Sequence, residues 1–427
     1  MAISFKNGHL YIGSVTASYL AEKYGTPLYV MDEEVIRENA RALKGAIDKY
    51  YDSNGTVTYA SKALCIKEMC KIADSEGLGL DCVSGGELYT AKSAGFPMEK
   101  IHYHGNNKTD EEIRLGVMYR VGKFIVDNPE ELIRLNECAK EAGIRQKILL
   151  RITPGVEAHT HEFIKTGQID SKFGSAIATG AADSITAEAL KLSNVELCGF
   201  HCHIGSQIFQ PEPFVEAAKV MLDFINEQEI KHKREFSELV LGGGFGIKYS
   251  EEDNPLSYDE ILKPVLTYVK DRREKEKKAL IHLGFEPGRA IAGPAGVTLY
   301  KVGGVKEIPG IRTYVSVDGG MGDNPRYILY GAKYTFLVEG RCDQPKDKKV
   351  TVCGKCCESG DMLGENVALG EVKSGDILAV LATGAYNYSM ASNYNRVPRA
   401  PIVFVRGEES RVALRRETYE DMLRYDV

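Results

Sequence analysis

No run of apolar residues in this chain approaches the length needed to cross a bilayer, so a membrane-spanning helix is not expected. The N-terminus also lacks a basic segment followed by a continuous apolar stretch. Lys6, Asn7 and His9 interrupt the apolar residues between Met1 and Leu20, which argues against a secretory signal. No block of lysine or arginine marks a nucleic-acid footprint, and 54 basic against 60 acidic residues leave a formal net charge of only −6. Internal repeats and low-complexity segments are missing as well. The expectation is a soluble cytoplasmic protein with neither nucleic acid nor membrane among its partners. Without a secretion signal, the 10 cysteines are expected to be reduced thiols. Four of them, Cys65, Cys70, Cys138 and Cys198, sit in apolar patterns and are expected in the core.

What is present is a chain of 427 residues, too long for one ordinary core, so two domains are expected. Eight short apolar or β-branched runs recur: Thr56–Ala60, Leu78–Ser84, Ile101–Gly105, Lys123–Asp127, Lys147–Thr153, Leu197–Gly205, Leu239–Phe245 and Leu280–Pro287. Several are nearly continuous in apolar content, as strands buried on both faces should be. Helical spacing lies between them. Ile66, Met69, Cys70 and Ala73 share one face, as do Leu132, Leu135 and Ala139, and Val215, Ala218, Leu222 and Ile225. Pro129 and Gly143 punctuate the second of these helices. The charged stretch Asp271–Lys278 is expected to be a solvated helix end.

Eight strands alternating with helices predict a (β/α)8 TIM-like barrel over residues 31–288, with a doubly wound open sheet as the alternative. From about residue 290 the pattern changes. Val297–Val302, Thr313–Asp318, Ile377–Ala382 and Ile402–Val405 read as strands separated by glycine-rich turns, an all-β barrel or sandwich domain. Leu10–Ile12 and Pro27–Val30 are positioned to add strands to it. The second domain is therefore expected to be discontinuous, from residues 1–30 plus 289–427.

Polar and glycine-rich residues cluster at the C-terminal ends of the proposed barrel strands, the face where such barrels build active sites. Lys62 follows the first strand, Asp81 ends the second, and His104 and Asn106 follow the third. His203, Gly205 and Ser206 follow the sixth, Gly242, Gly243 and Gly244 the seventh, and Glu286, Gly288 and Arg289 end the eighth. Glycines there let backbone N–H groups approach a phosphate, with Arg289 and Ser206 as further donors, although a GGG run also suits a tight turn. Lys62 is either a surface lysine opening a helix or an amine of lowered pKa that forms a Schiff base with a carbonyl. Glu286 is either a partner for Arg289 or the carboxylate that keeps a pyridinium nitrogen protonated. His203 suits stacking on a ring, a core position, or a metal site shared with His201, though no third or fourth ligand is evident and no metal is expected.

The segments Tyr59–Ala63 (YASKA), Gly105–Lys108 (GNNK), Ser171–Gly174 (SKFG), His201–Gln207 (HCHIGSQ), LGGGFG, EPGR, Cys357–Asp361 (CESGD) and Tyr386–Asn395 resemble the diaminopimelate decarboxylases, in order and through nearly the whole chain. These are fold-type III pyridoxal-phosphate decarboxylases with alanine racemase-like barrels. HxGS and EPGR are shared across the wider group, whereas His161–Gly174 (HEFIKTGQIDSKFG) and CESGD are closer to this family itself.

The resemblance implies pyridoxal 5′-phosphate as cofactor and Lys62 as the residue that carries it. It implies that His203 stacks on the pyridine face and that Glu286 faces its nitrogen. Ser206, Gly243, Gly244, Gly288, Arg289 and Tyr386 would hold cofactor or phosphate, and Arg289, Arg326, Tyr330, Glu358 and Tyr386 would contact substrate. Cys357 would donate the proton that replaces the lost carboxylate. In the family the counterparts of Cys357 and Glu358 reach the partner subunit's site, so a homodimer is implied. Cys353 and Cys356 are not needed by the pattern. The family often has a further arginine where this chain has Val397.

The implied reaction is decarboxylation of meso-2,6-diaminopimelate to L-lysine and carbon dioxide, the last step of lysine biosynthesis. Arginines suit the distal carboxylate and Glu358 the distal ammonium. The competing readings are a decarboxylase of ornithine, arginine, a D-amino acid or carboxynorspermidine on the same barrel, and a non-catalytic regulator of the same fold. Arg326 and Tyr330 favour a substrate with a second carboxylate. The joint presence of Lys62, Cys357, Glu286 and Arg289 speaks against the regulator.

Overall fold

The computed structural model describes residues 3–156 and 171–427. The chain divides into two compact units, one of residues 39–246 with 255–290, the other of residues 1–38, 247–254 and 291–427.

The first unit is a closed barrel of eight parallel strands: Gly55–Ala60, Gly79–Cys82, Ile101–Tyr103, Lys123–Val126, Gln146–Thr153, Val195–His201, Glu238–Val240 and His282–Phe285. Closure decides between the two architectures that the run of strands allowed. The fourth strand pairs with the fifth (Ile125 opposite Leu149), and the eighth returns to the first (Leu283 opposite Gly55), so the ring of eight has no free edge. Continuous apolar runs such as Phe124, Ile125 and Val126 are buried on both faces, which a parallel strand covered by helices requires. Ile125, Leu149 and Val240, from three different strands, pack together.

The helices follow their apolar spacing. Leu132, Leu135 and Ala139 are fully buried along Pro129–Glu141, and each leucine contributes about 1.5–3 kcal/mol by leaving water. Asn128 caps that helix by accepting from the Glu131 N–H, and Gly143 lies just past its end with φ 62°. Ile66, Met69, Cys70 and Ala73 are all buried, as their spacing predicts.

Three expectations need correction. Six strands are shorter than their apolar runs: the second, third, fourth, sixth, seventh and eighth stop at Cys82, Tyr103, Val126, His201, Val240 and Phe285. Most of the residues beyond stay buried while leaving the ladder, and Gly205, Gly242 and Gly244 adopt φ of 145°, 66° and 100° to make the turns. The charged helix end is not wholly solvated, because Arg273 is buried and its Nε donates to the Ala279 carbonyl. All ten cysteines are free thiols, but of the four placed in the core only Cys70 is fully buried.

The second unit is mainly β. Leu28–Asp32 lies between Gly296–Ile308, antiparallel to it, and Ile402–Arg406, parallel to it. Residues from the start, middle and end of the chain are thus neighbours in one sheet. Further strands at Arg312–Val317, Phe336–Val338, Lys348–Cys353, Met362–Leu369, Ile377–Leu381 and Glu409–Leu414 extend it. Its core includes Leu10, Leu28, Val30, Val297, Leu299 and Val403, all fully buried.

Candidate active site

The barrel gathers its reactive groups at the C-terminal ends of its strands. Lys62 occupies a single 3-10 turn, Ser61–Ala63, directly after the first strand, and its side chain is exposed. The following helix starts only at Lys67, so Lys62 does not open a helix. The Lys62 charge acts on buried Asp81 and Glu87 and on His203, which places its amine over this end of the barrel. Glu87 fixes the turn from below by accepting from Ser61 Oγ and the Val83 N–H, both at 2.8 Å. Burial, and after it the charge of Glu286, pushes the Asp81 carboxyl well above its ordinary range. Asp81 thus responds to both Lys62 and Glu286. His203 stands two residues past the sixth strand, and burial drives its basicity well down, so it is a neutral imidazole.

Glu286 is bound by three imidazoles. His102 Nδ1 and His104 Nε2 each lie 3.0 Å from Oε1, and His201 Nε2 lies 2.9 Å from Oε2. Burial opposes the Glu286 charge, but these imidazoles outweigh it and hold the carboxyl well below the usual range. His104 in turn is lowered to about 3 by burial, and burial lowers His201 as well. The site therefore holds a carboxylate facing two imidazoles, His104 and His201, whose basicity burial lowers. His102, His104 and Glu286 also form a buried donor set whose ligand atoms lie within 4.8 Å of one another. Ligands of one tetrahedral zinc would lie about 3.3 Å apart. The observed 2.9–3.0 Å separations, divided between two carboxylate oxygens, are those of hydrogen bonds.

Beside this cage, Arg289 is buried and donates from Nε and Nη2 to Ser206 Oγ at 3.3 and 3.1 Å. The glycines are demanded by close backbone approach. A Cβ on Gly243 would lie 2.2 Å from the Glu286 carbonyl oxygen, and one on Gly244 would lie 2.2 Å from that of Gly205. Gly288 is similarly confined by Ala60 and Ala63.

The other site residues fall in the second unit. Arg326 opens the short helix Arg326–Tyr330 and is buried, its guanidinium 5.6 Å from the ring centres of Tyr249 and Tyr330 and 5.5 Å from that of Tyr386. Burial works against its charge, yet the surrounding tyrosines favour it enough to raise its basicity. Its Nε has no hydrogen-bond partner. Tyr386 takes φ 62°, a left-handed conformation that a tyrosine rarely adopts. Cys357 and Glu358 are exposed on the loop between Lys348–Cys353 and Met362–Leu369, where the Cys357 N–H donates to Asn395 Oδ1 at 2.7 Å. The expected site residues thus form one group on the barrel (Lys62, His203, Ser206, Gly243, Gly244, Glu286, Gly288, Arg289), an arginine–tyrosine group (Arg326, Tyr330, Tyr386) and an exposed loop (Cys357, Glu358). Of the His161–Gly174 motif, residues 161–170 lie outside the described residues.

Residues 33–293 match the family described as "Pyridoxal-dependent decarboxylase, pyridoxal binding domain". Over 422 residues the chain is 50% identical to the diaminopimelate decarboxylase of Bacillus subtilis (strain 168), covering 99% of this chain and 96% of that protein. The chain belongs to the diaminopimelate decarboxylase family. The enzyme of that name from Bacillus methanolicus is 47% identical over 96% of this chain and 95% of its own length. The crystal structure of diaminopimelate decarboxylase from M. jannaschii in complex with L-lysine superposes with a TM-score of 0.93 at 36% identity, covering 100% of this chain and 98% of that one. As a member of this family the chain is a lyase that uses pyridoxal 5′-phosphate. Its donor set fits that group: an ionised buried carboxylate suits a pyridinium nitrogen, and a buried arginine paired with a serine hydroxyl suits a phosphate.

Reading the sequence missed His102, Tyr249 and Asn395. His102-x-His104 repeats the spacing of His201-x-His203, and alternation along a strand puts such pairs on one face. That signal was available for His102. Asn395 closed the Tyr386–Asn395 segment but gave no sign of its contact with Cys357, and Tyr249 gave no signal, because only folding brings them to Cys357 and Arg326.

Proposed function

We propose that this protein removes carbon dioxide from meso-2,6-diaminopimelate to give L-lysine, the last step of lysine biosynthesis. The observation that carries the reading is the Glu286 carboxylate, held as an anion at the end of the eighth strand, beside the first strand that bears Lys62. When bound, pyridoxal 5′-phosphate supplies an electron sink for the electron pair left at the α-carbon as carbon dioxide departs. Lys62 would hold that group through Nζ. Glu286 would keep its ring nitrogen protonated, and His203 would stack on the ring. Ser206, Gly243, Gly244, Gly288 and Arg289 take the phosphate, and Tyr386 reaches both cofactor and substrate. Arg326 receives the distal carboxylate, since its planar fork matches two oxygens at once. Arg289, Tyr330 and Glu358 complete the substrate contacts, with Glu358 on the distal ammonium. Cys357 delivers a proton to the α-carbon.

The same reading takes residues 31–288 as the cofactor-binding domain and residues 1–30 plus 289–427 as the second. It makes the protein a cytoplasmic homodimer in which the Cys357 loop serves the partner's site. Exposure of Cys357 and Glu358 supports that arrangement. No helix among the described residues is long and apolar enough to cross a membrane.

The test is an absorption spectrum of the purified protein with and without meso-diaminopimelate, followed by a substrate panel. A visible band that responds to meso-diaminopimelate, with lysine as product, is expected. A colourless protein, or equal turnover of ornithine, would overturn the assignment.

A further inference from the structure

Glu286 does not stand alone in the barrel. A carboxylate oxygen carries no proton, so each imidazole nitrogen that meets it must be an N–H donor. This fixes the tautomers: His104 and His201 carry hydrogen on Nε2, and His102 carries it on Nδ1. The remote nitrogen of His201, Nδ1, is buried and has no hydrogen-bond partner among the described residues, as suits an unprotonated atom. His102 and His201 lie in the third and sixth strands and His104 directly follows the third, and the rings of His104 and His201 meet edge to face at 4.8 Å. Contacts from both sides restrict how the carboxylate can turn.

The count of acceptor sites is informative. An ionised carboxylate offers about four, two on each oxygen. Among the described residues, Oε1 accepts from His102 and His104, and Oε2 accepts from His201 only. We propose that His102, His104 and His201 are positioning residues that lock the Glu286 carboxylate, leaving one acceptor site on Oε2 for the protonated ring nitrogen of the cofactor. The inference rests on the function proposed above and adds what makes Glu286 a fixed partner. A freely rotating carboxylate would offer its lone pairs in many directions. A locked one offers a single direction and holds the proton on the ring nitrogen throughout turnover. Burial lowers the basicity of His104 and His201, so these two orient the anion without cancelling its charge.

The test compares His104→Leu and His201→Leu with His104→Gln and His201→Gln, whose amide N–H can replace Nε2–H, and His102→Leu with His102→Asn, which can replace Nδ1–H. The measurements are the dissociation constant of pyridoxal 5′-phosphate from the apoenzyme, the visible spectrum of the holoenzyme, and kcat and KM. Each leucine variant should bind the cofactor about 10- to 100-fold more weakly, the size expected for losing a hydrogen bond to a charged group. Its kcat should fall with little change in KM, and the amide variants should recover most of both. Leucine variants with native affinity and kcat, or amide variants as impaired as the leucine ones, would overturn the proposal. Should the leucine variants not fold, 15N NMR of histidine-labelled wild-type holoenzyme decides. His104 and His201 should stay neutral between about pH 6 and 8, and an imidazolium at either of them, or an N–H missing from His104 Nε2, His201 Nε2 or His102 Nδ1, refutes the cage. A wild-type protein that takes up no cofactor would instead defeat the proposed function.

Discussion

Cys357 illustrates how far a single residue can be argued. It is exposed, and its loop is tied by the Cys357 N–H to the Asn395 side chain. As proton donor, its replacement by alanine should lower kcat by about 10²–10⁴-fold, with cofactor absorption intact. Stopped-flow absorbance and steady-state kinetics read both quantities, and a variant with native kcat would remove Cys357 from the chemistry. Arg326 makes a different demand. Buried among tyrosine rings, it should cost about 2–5 kcal/mol in kcat/KM when replaced by leucine, because the substrate's distal carboxylate then loses its charged partner. If ornithine becomes as good a substrate as diaminopimelate for that variant, the specificity role is secured. If relative rates are unchanged, the role lies elsewhere. At this scale the proposed reacting groups were legible as candidates, since Lys62, Glu286 and Cys357 sit in short motifs that carry their own context. Their supports were not. Nothing local announces that Asn395 will meet Cys357, or that His102 will meet the carboxylate of a residue 184 positions later.

Elements show why some motif residues are structural. Lys108, in the Gly105–Lys108 segment, is buried, and its Nζ donates to the carbonyls of Gly105 and Ile125 at 3.0 Å and to Glu131 at 2.8 Å. One ammonium thereby joins the turn after the third strand, the fourth strand and the helix Pro129–Glu141. Lys108→Met should destabilise by about 3–5 kcal/mol by leaving Glu131 charged and unpaired, whereas Lys108→Met with Glu131→Leu should regain most of that loss. Chemical unfolding checks the pair, and equal instability of single and double variants would contradict the account. The strand-end glycines obey another constraint. Gly243→Ala should cost about 1–3 kcal/mol through overpacking against the Glu286 carbonyl, while Gly304→Ala, with nothing near its would-be Cβ, should be nearly neutral. Strand lengths were the element feature least visible in the sequence. Apolar composition reports burial, and most of these residues stay buried after their ladders end.

Whole-molecule behaviour follows from the buried imidazoles. Unfolded histidines titrate near 6.5, whereas in the fold burial holds His104 near 3 and His201 and His203 below their ordinary value. The unfolded chain therefore binds more protons as pH falls, and the stability these groups allow is full above about pH 6.5 and declines below it. Each contributes up to about 1.4 kcal/mol per pH unit. Asp81 and Asp127, raised chiefly by burial, oppose the decline by binding protons in the folded state. Comparing His104→Gln with wild type isolates one histidine: the variant's melting temperature should drop less between pH 7 and 5, and parallel profiles would contradict this. Assembly has its own test. If the Cys357 loop serves the partner's barrel, mixing Lys62→Ala and Cys357→Ala subunits builds hybrid dimers with one intact site each, restoring about a quarter of wild-type activity. No restoration after subunit exchange would place Cys357 in its own chain's site.

The sequence by itself determined the alternation of strand and helix, the switch to a β unit and the family resemblance carried by the motifs, because periodicity and short motifs are local properties of a chain. Tertiary structure alone decided that the sheet closes, that residues 28–32 enter a sheet built from the far end of the chain, and that three histidines converge on one carboxylate. Those outcomes depend on distances between residues far apart in sequence, and such distances exist only once the backbone hydrogen bonds and the buried core have fixed where each strand lies.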